Sequence, residues 1–313
     1  MDTNMRIAIS IATFNRPRGL KAVLDGIEVQ KLPDDINLRV VIIDNSLDGN
    51  AREYIDNRAK FYRFPLVYHN ETRPGITYPR NRGIEDALDK NDDCIVFTDD
   101  DVLVDENWIK ELYFVSVDTG AAAVSGAVKA KFKEKPLWWI EKGGFFEVLD
   151  LPDRQPVEYG HTTSSLVRLD CIRSLELRFD PFFSLTGGED VAFFQAIRDA
   201  GGKTVFASNA IVYECIGSER LTLTWWIKRW YRTGNTEGLI EVREGKHSMV
   251  LPVVFFKGIL RAFMGMLGVL VTFPAQVVGR VDVFNHLRIM SRGLGFIASV
   301  FGITYEEYRN HKR

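Results

Sequence analysis

Two groups of acidic residues have types and spacing that could do chemistry. Asp99, Asp100 and Asp101 come just after the apolar run 94–97. Like charges this close repel one another, so they need full solvation or a counter-ion, and a divalent cation shared with phosphate oxygens is a suitable one. In an extended chain Asp99 and Asp101 point to the same side and could share that cation, while Asp100 faces elsewhere. The alternative is an acidic turn before the helix expected from about Asp105.

The second group follows two glycines. Gly187 and Gly188 allow the backbone to turn tightly, and Glu189 and Asp190 then open a helix. Acids are favoured in a first helical turn by the helix dipole alone. A carboxylate held at the edge of a pocket could instead act as a general base toward a hydroxyl group. The residues by themselves leave both interpretations open.

Alternating strands and helices must position these acids. In the first half, apolar runs and helical spacing predict strands at residues 7–12, 38–43, 66–68 and 94–97 and helices at 17–27, 50–62 and 78–88. In the second half we predict strands at 121–128, 166–168, 203–206 and 210–213, and a loop at 132–146. The fold class is therefore α/β, with a mixed, mostly parallel sheet flanked by helices. Ligands of such sheets bind beyond the carboxyl ends of the strands, where Thr13, Asp44 and the three acids should lie.

Composition and charge divide the chain into an acidic body and a basic tail. The 313 residues, of which 46% are hydrophobic, suffice for one large domain or for a domain with an appendage. Residues 1–215 carry 26 Lys+Arg against 35 Asp+Glu, whereas residues 216–313 carry 14 against 7. A basic tail often meets an anionic membrane surface or nucleic acid. Three widely spaced cysteines and an N-terminus without an apolar signal sequence predict that the body stays in the cytoplasm.

The tail contains two apolar segments. Residues 251–278 are apolar but include Lys257 and Arg261, so the charge-free part is barely long enough to span a bilayer. Residues 283–301 carry one apolar helical stripe opposite two arginines. This pattern predicts amphipathic helices lying in a membrane interface, and we expect no nucleic-acid partner. The alternative is a soluble helical hairpin or a dimer contact.

The order of the motifs resembles the nucleotide-sugar-binding half of inverting glycosyltransferases of family 2, of the type found in bacterial polysaccharide biosynthesis. The matching motifs are a first strand ending in Thr-Phe-Asn-Arg, a second ending in Asp-Asn, an Arg-Asn-Arg-Gly helix start, the Asp-Asp-Asp strand end and the Gly-Gly-Glu-Asp string. They cover roughly residues 5–235. The resemblance implies the Rossmann-like GT-A fold.

The resemblance also implies roles in donor binding. Thr13 and Arg16 would line the nucleotide pocket, and Asp44 would contact the base. Arg80 would approach the ribose or the phosphates. The alternatives are that Asp44 caps a helix and that Arg80 is a solvated cation at a helix start.

A metal site is implied at the strand end. By the resemblance, Asp99 and Asp101 would form the metal-binding Asp-X-Asp, with Asp100 beside the donor. Many relatives carry a histidine ligand near residue 214, where this sequence has Tyr213 and Glu214. Glu214 can serve instead, because oxygen ligands suit Mg²⁺ or Mn²⁺.

Base and acceptor residues are expected in the second half of the body. The resemblance assigns the catalytic base to Asp190 and a supporting role to Glu189. Trp138 and Trp139 could stack on acceptor sugar rings, or they could belong to a packed hydrophobic loop. His161 could hydrogen-bond a substrate hydroxyl, or it could be structural.

A basic helix rich in tryptophan is predicted at residues 225–235. Arg229 and Arg232 lie three residues apart, hence on one face, where they could hold a leaving diphosphate. A helix lying against a membrane would use the same residue types. We therefore expect a catalytic domain at 1–215, a helix closing the donor site at 216–245 and a membrane-associating region at 246–313.

The sequence thus predicts an inverting glycosyltransferase on the cytoplasmic face of the cell membrane, peripheral or monotopic. Its expected partners are a nucleotide-sugar donor, taken to be a UDP-sugar, a glycan or polyprenyl-diphosphate-linked acceptor, and the membrane surface. One alternative is a sugar-phosphate nucleotidyltransferase, although residues 13–19 do not form the Gly-rich loop usual in such enzymes. The other is a membrane-docking scaffold that keeps the fold and binds neither Mn²⁺ nor UDP.

Overall fold

The computed structural model describes residues 4–146, 151–245, 249–274 and 279–308. The chain forms two compact units. Among the described residues, the first unit contains residues 4–130, 151–215 and 308, and the second contains residues 131–146, 216–245, 249–274 and 279–307. All the acids that the sequence singles out for chemistry belong to the first unit.

A mixed sheet of eight strands organises the first unit. The strands are β1 Met5–Thr13, β2 Ile36–Asp44, β3 Leu66–Asn70, β4 Cys94–Asp99, β5 Val102–Val104, β6 Ala123–Phe132, β7 Ser164–Arg168 and β8 Thr204–Ile216, in the order β3-β2-β1-β4-β7-β6-β8-β5. β1 is parallel to β2 and β4, and β2 is parallel to β3. The pairs β4–β7, β6–β7 and β5–β8 are antiparallel. The predicted mixed α/β sheet is confirmed, with its parallel part in the N-terminal half.

Helices of the first unit cover both faces of this sheet. The helices of the chain are α1 Pro17–Glu28, α2 Arg52–Ala59, α3 Thr77–Asp89, α4 Trp108–Thr119, α5 Trp138–Lys142, α6 Leu169–Ser174, α7 Glu189–Asp199, α8 Leu223–Glu244, α9 Val250–Thr272 and α10 Asp282–Val300. Successive residues of β1 point to opposite faces. Ile9 packs in one buried cluster with Leu24 of α1, and Ala8 packs in another with Ile84 of α3. These two apolar cores fix the ends of the strands.

The second unit is mainly helical. α10 packs against both α8 and α9. Small residues permit the close approach of α9 and α10, because a Cβ at Gly265 would lie 2.3 Å from the backbone nitrogen of Met290. Residues 275–278 of the apolar segment predicted at 251–278 lie outside the described residues.

Two predicted elements were wrong. The two short strands expected at 203–206 and 210–213 form one continuous strand, β8. Ser208, which resembles a turn residue, is held in the strand because the Asp153 carboxylate accepts hydrogen bonds from its backbone N–H and its hydroxyl. The loop expected at 132–146 contains the short helix α5, in which Trp139 is buried and stacks on Phe284 at 4.5 Å between ring centroids.

Candidate active site

The register of the parallel strands brings the first predicted site residues to one edge of the sheet. Thr13, the last residue of β1, pairs with Asp44, the last residue of β2. On the other side of β1, Ala12 pairs with Asp99, the last residue of β4. The carboxyl ends of three neighbouring strands therefore carry Thr13, Asp44 and Asp99 side by side, which is where α/β sheets bind ligands.

The three consecutive acids do not continue as an extended chain, and the geometry expected for them was wrong. β4 ends at Asp99, and Asp100 and Asp101 form a turn. Asp100 is buried, and its carboxylate accepts hydrogen bonds from the Thr13 hydroxyl at 2.8 Å and from Arg16 at 2.9 Å. Arg16 also binds Asp101 at 2.9 Å. Burial raises the pKa of Asp100, although Arg16 and Thr13 oppose the rise.

Asp100 therefore acts as an internal anchor. It ties the end of β1 to the turn, and α1 packs directly on it. A Cβ at Gly19 would lie 2.2 Å from the Asp100 carbonyl oxygen, so this close approach requires glycine. Asp99 and Asp101, in contrast, are partly exposed.

Arg80 of α3 connects the strand end to the helix that carries the second acidic group. Its guanidinium is buried, pairs with Glu189 through Nη1, and lies 3.3 Å from Asp99 Oδ1 through Nη2. Burial lowers the pKa of Arg80, but Glu189 and Asp99 raise it above its ordinary value. Asp99 also accepts a 2.8 Å hydrogen bond from the Thr163 hydroxyl. Arg80 is thus not a solvated surface cation, and its contact with a donor stays a prediction.

The two acids at the start of α7 have different environments. Gly187 and Gly188, at φ values of 79° and 92°, turn the chain into the helix. Glu189 is buried against Arg80, and burial, together with the Asp190 charge, raises the pKa of Glu189 to about 7 although Arg80 lowers it. Asp190 is partly exposed, and its Oδ1 accepts a 2.8 Å hydrogen bond from the Val191 N–H. Asp190 is therefore the more accessible of the two carboxylates, and its role as the base stays a prediction.

A cavity of about 320 Å³ adjoins the Arg16 side of this edge. Its walls are formed by Thr13, Asn15, Arg16, Pro17, Leu20, Asn50, Ala51 and Tyr54. Asp44 lies behind this wall with no exposed surface. Its carboxylate accepts hydrogen bonds from the N–H groups of Ser46 and Ala51, both at 2.9 Å, and from the Tyr68 hydroxyl at 3.0 Å. Asp44 thus holds the loop and the helix start that line the cavity, and its contact with a base stays a prediction.

His161 lies among the acids of the site. Both ring nitrogens are buried and have no hydrogen-bond partner among the described residues. Burial lowers the pKa of His161, while attraction to Asp190 and Asp99 opposes the shift. Burial thus favours the neutral imidazole, which can still hydrogen-bond a hydroxyl.

The acids fit a divalent cation in ligand chemistry. Within the described residues there is no cluster of three or more His, Cys, Asp or Glu side chains arranged as a metal site. Mg²⁺ in nucleotide sites, however, commonly takes one or two carboxylates and completes its shell with phosphate oxygens and water. Asp99 and Asp101 stay a prediction as the carboxylates of such a site. Glu214, in β8 opposite Val102 of β5, stays a prediction as a third ligand.

The remaining predicted residues lie in the second unit. Trp138 is exposed and packs edge-on against Phe284, at 5.9 Å between ring centroids. Arg229 lies over the ring of Trp225, and Arg232 pairs with Glu307 at 3.0 Å. Their roles at the donor and the acceptor stay predictions.

Several residues of the first unit were missed. The Thr163 hydroxyl donates a hydrogen bond to Asp99. Thr163 lies only two residues after His161, which the sequence analysis names, so its position in the sequence could have indicated it. Asn15 stands within the Thr-Phe-Asn-Arg motif, whose spacing could have indicated it. Asn50 and Tyr54 reach the cavity from the region of α2, and no sequence signal marks them.

Comparison with known proteins decides the family. The model of glycosyl transferase family 2 matches residues 8–175, which is more than half of the chain. The succinoglycan biosynthesis protein ExoM of Rhizobium meliloti (strain 1021) is 30% identical over 234 residues, 75% of this chain and 74% of ExoM. The chain belongs to glycosyl transferase family 2. This family 2 chain is therefore a glycosyltransferase, and its family supports a transferase enzyme over the nucleotidyltransferase and scaffold alternatives.

Solved structures show the same fold. The mannosyltransferase PcManGT of Pyrobaculum calidifontis, in complex with GDP-Man and Mn²⁺, has a TM-score of 0.64 at 15% identity, covering 96% of this chain and 88% of that one. TarS of S. aureus, residues 1–349 in complex with UDP-GlcNAc, has a TM-score of 0.53 at 13% identity, covering 78% of this chain and 68% of that one. The family 2 chain spans 43% of the longer TarS structure. The predicted GT-A fold is confirmed.

Proposed function

We propose that this family 2 glycosyltransferase moves a sugar from a UDP-sugar to a hydroxyl of a glycan or polyprenyl-diphosphate-linked acceptor, with inversion, in polysaccharide or glycoconjugate biosynthesis. The observation that carries the proposal is the link through Arg80. This buried cation joins Asp99, at the strand end expected to bind the donor, to the helix start that presents Asp190. Hydrogen bonds through Arg80 thus connect Asp99 to the start of the helix that carries Asp190, the candidate base.

The proposed reaction is a direct displacement. Asp190 accepts the proton of the acceptor hydroxyl as its oxygen forms a bond to the anomeric carbon. The bond from that carbon to the diphosphate oxygen breaks, and the nucleoside diphosphate leaves with the bonding electrons. Attack from the face opposite the leaving group inverts the anomeric centre. Glu189, held by Arg80, fixes the start of α7 beneath Asp190.

The departing diphosphate needs positive charge. Arg16, already bound to the acidic turn, borders the proposed nucleotide cavity and can hold the phosphates. Asp99 and Asp101 would hold Mg²⁺ or Mn²⁺, which when bound supplies charge to the leaving diphosphate. Arg229 and Arg232 are proposed to add to that charge. Electrostatic stabilisation of the leaving group is expected to be the largest catalytic contribution.

The choice of substrates follows from the relatives. ExoM is a succinoglycan biosynthesis protein, which supports a glycan or lipid-linked acceptor. TarS binds UDP-GlcNAc and PcManGT binds GDP-Man with Mn²⁺, which supports a nucleoside diphosphate sugar and a divalent metal. We propose that Trp138, Trp139 and His161 contact the acceptor.

A donor panel tests the proposal. The full-length protein is incubated with UDP-, GDP-, dTDP- and CMP-sugars, with Mn²⁺, Mg²⁺ or EDTA, and release of the nucleotide is measured. We expect release of UDP from one or a few UDP-sugars and loss of release in EDTA. Release from GDP-sugars alone would contradict the UDP assignment, and release from no donor would contradict the proposed function.

We also propose that the protein attaches to the cytoplasmic face of the cell membrane through α9. Among the described residues, this helix alone is long and apolar enough to cross a membrane, and 17% of its apolar stretch is buried. The cations that seemed to interrupt the apolar segment are partly exposed, and each contacts a neighbouring helix. Lys257 pairs with Glu241 of α8 at 2.7 Å, and Arg261 lies over the Phe296 ring of α10 at 4.2 Å.

α9 also carries an extended exposed apolar surface. Its most exposed side chains are Phe256, Leu260, Phe263, Leu270 and Val271. At 23 residues the helix is about 34 Å long, close to the thickness of a bilayer core. Exposed apolar patches of this extent mark membrane or protein contacts. The basic tail favours an anionic lipid surface over a second copy of the chain.

Acids placed on this surface should release the protein from lipid. An acidic side chain costs about 2.5–3.5 kcal/mol at the centre of an inserted helix. We expect the double variant Phe263→Glu, Leu270→Glu to bind vesicles of equal parts phosphatidylglycerol and phosphatidylcholine at least about tenfold more weakly than wild type in flotation assays. The control Phe61→Glu makes the same change at an exposed phenylalanine of the first unit and should bind normally. Vesicle binding by the double variant equal to wild type would contradict the attachment.

A further inference from the structure

Tyr308 lies in the unit that carries the candidate active site. Tyr308, the last described residue, belongs to the first unit, whereas the residues before it belong to the second. Those residues are fixed on α8. The Asn235 side-chain oxygen accepts a 2.9 Å hydrogen bond from the Tyr305 N–H, and Arg232 pairs with Glu307 at 3.0 Å. The chain is therefore anchored up to the residue that precedes Tyr308.

Tyr308 lies against the loop that leads into α7. Its backbone N–H donates a 3.0 Å hydrogen bond to the carbonyl oxygen of Leu185. Its ring borders Gly187, where an added Cβ would lie 3.8 Å from Tyr308 Cε2 and 4.0 Å from Glu189 Oε2. The tyrosine is also one of the groups whose electrostatic effect acts on Arg80. It therefore contacts the loop next to the Arg80–Glu189 pair.

Within this loop, the Gly187 N–H donates a 3.1 Å hydrogen bond to the Phe183 carbonyl oxygen. Gly187 and Gly188 both have positive φ, and glycines keep more conformational freedom in the unfolded and locally opened chain than other residues. The cap residue of α7, Gly188, has no side chain to cap the helix. On the other side, the Ile76 N–H donates to the Ser184 carbonyl oxygen at 3.0 Å. The hydrogen bond from Tyr308 to Leu185 holds the residues that follow Ser184.

We propose that Tyr308 is a positioning residue for the catalytic base. By binding the Leu185 carbonyl and covering Gly187, it holds the start of α7 so that Asp190 meets the acceptor hydroxyl. The inference rests on the proposed role of Asp190. Because the donor cavity is lined by β1, α1 and the region of α2, the loss of Tyr308 should change turnover and leave donor binding intact.

The test separates turnover from donor binding. Misplacing a catalytic group by about 1 Å can cost about a hundredfold in rate. We expect Tyr308→Ala to lower kcat by about tenfold to a hundredfold with an unchanged donor KM and melting temperature. Tyr308→Phe, which keeps the ring, should restore most of kcat; both variants keep the backbone N–H that binds Leu185. Phe61→Ala, which removes an exposed ring elsewhere in the first unit, is the matched control.

A second readout does not depend on activity. Amide hydrogen exchange of residues 184–192 should be faster in Tyr308→Ala than in wild type and Tyr308→Phe, because a loop that has lost its clamp opens more often. Unchanged exchange in Tyr308→Ala would overturn the inference, whatever happens to kcat. A raised donor KM with normal kcat would overturn it too. If wild type turns over no nucleotide sugar, the proposed function fails, and the exchange result alone decides whether Tyr308 clamps the loop.

Discussion

Asp190→Asn should reduce sugar transfer by at least about a hundredfold, the scale of a lost general base. The amide has the shape of the carboxylate and can still accept the Val191 N–H bond, but it cannot take a proton from the acceptor hydroxyl. Glu189 cannot replace it, because that side chain is buried and paired with Arg80. The loss should therefore appear in kcat, with nucleotide affinity close to that of wild type. Single-turnover transfer assays with saturating donor measure this directly.

Asp199→Asn is the matched control for this variant. Asp199 is the last residue of the same helix, and its side chain is 61% exposed. The Asp199→Asn substitution changes the net charge of α7 by the same amount as Asp190→Asn. Because Asp199 lies at the other end of the helix from Asp190, sugar transfer should stay normal. An Asp190→Asn enzyme with near-normal turnover would remove Asp190 from the role of base.

Asp101→Ala should also lower transfer by at least about a hundredfold, because electrostatic stabilisation at a developing charge is worth that much or more. The Asp101 carboxylate is partly exposed on the turn after β4, where it pairs with Arg16. Arg16 remains held by Asp100 in the variant, so the nucleotide cavity should keep its shape. The expected signature is a lower kcat together with a steeply raised Mn²⁺ requirement.

Asp93→Ala controls for the loss of a carboxylate near the same strand. Asp93 precedes β4 at the opposite end, where it accepts a hydrogen bond from the Arg6 N–H. We expect a small loss of stability, about 1 kcal/mol, and unchanged transfer. Equal Mn²⁺ dependence in Asp101→Ala and wild type would exclude Asp101 as a metal ligand.

The parallel half of the fold was predictable from the sequence because two simple patterns determine it. Apolar runs mark the strands, and the right-handed connection of parallel strands places their carboxyl ends at one edge. The predicted position of Thr13, Asp44 and Asp99 at the carboxyl ends of neighbouring strands is therefore correct. The order of the motifs was equally informative about the family, because each motif lies at the end of a predicted strand or at the start of a predicted helix.

Contacts between distant parts of the chain were not predictable. The turn at Asp100 exists because Thr13 and Arg16, more than eighty residues away, bind its carboxylate. Arg80 resembles an ordinary cation at a helix start, and only tertiary packing buries it against Glu189. Tyr308 has no motif at all. Such roles depend on which segments meet, and a local pattern does not carry that information.

Titration of UDP into the full-length protein by calorimetry tests the central claim most directly, because that claim is a nucleotide site built at the ends of β1 and β4. We predict one UDP site per chain in the presence of Mn²⁺, with affinity retained in Asp190→Asn and strongly reduced in Asp101→Ala or in EDTA. No binding of UDP, or equal binding in wild type and Asp101→Ala, would contradict the account.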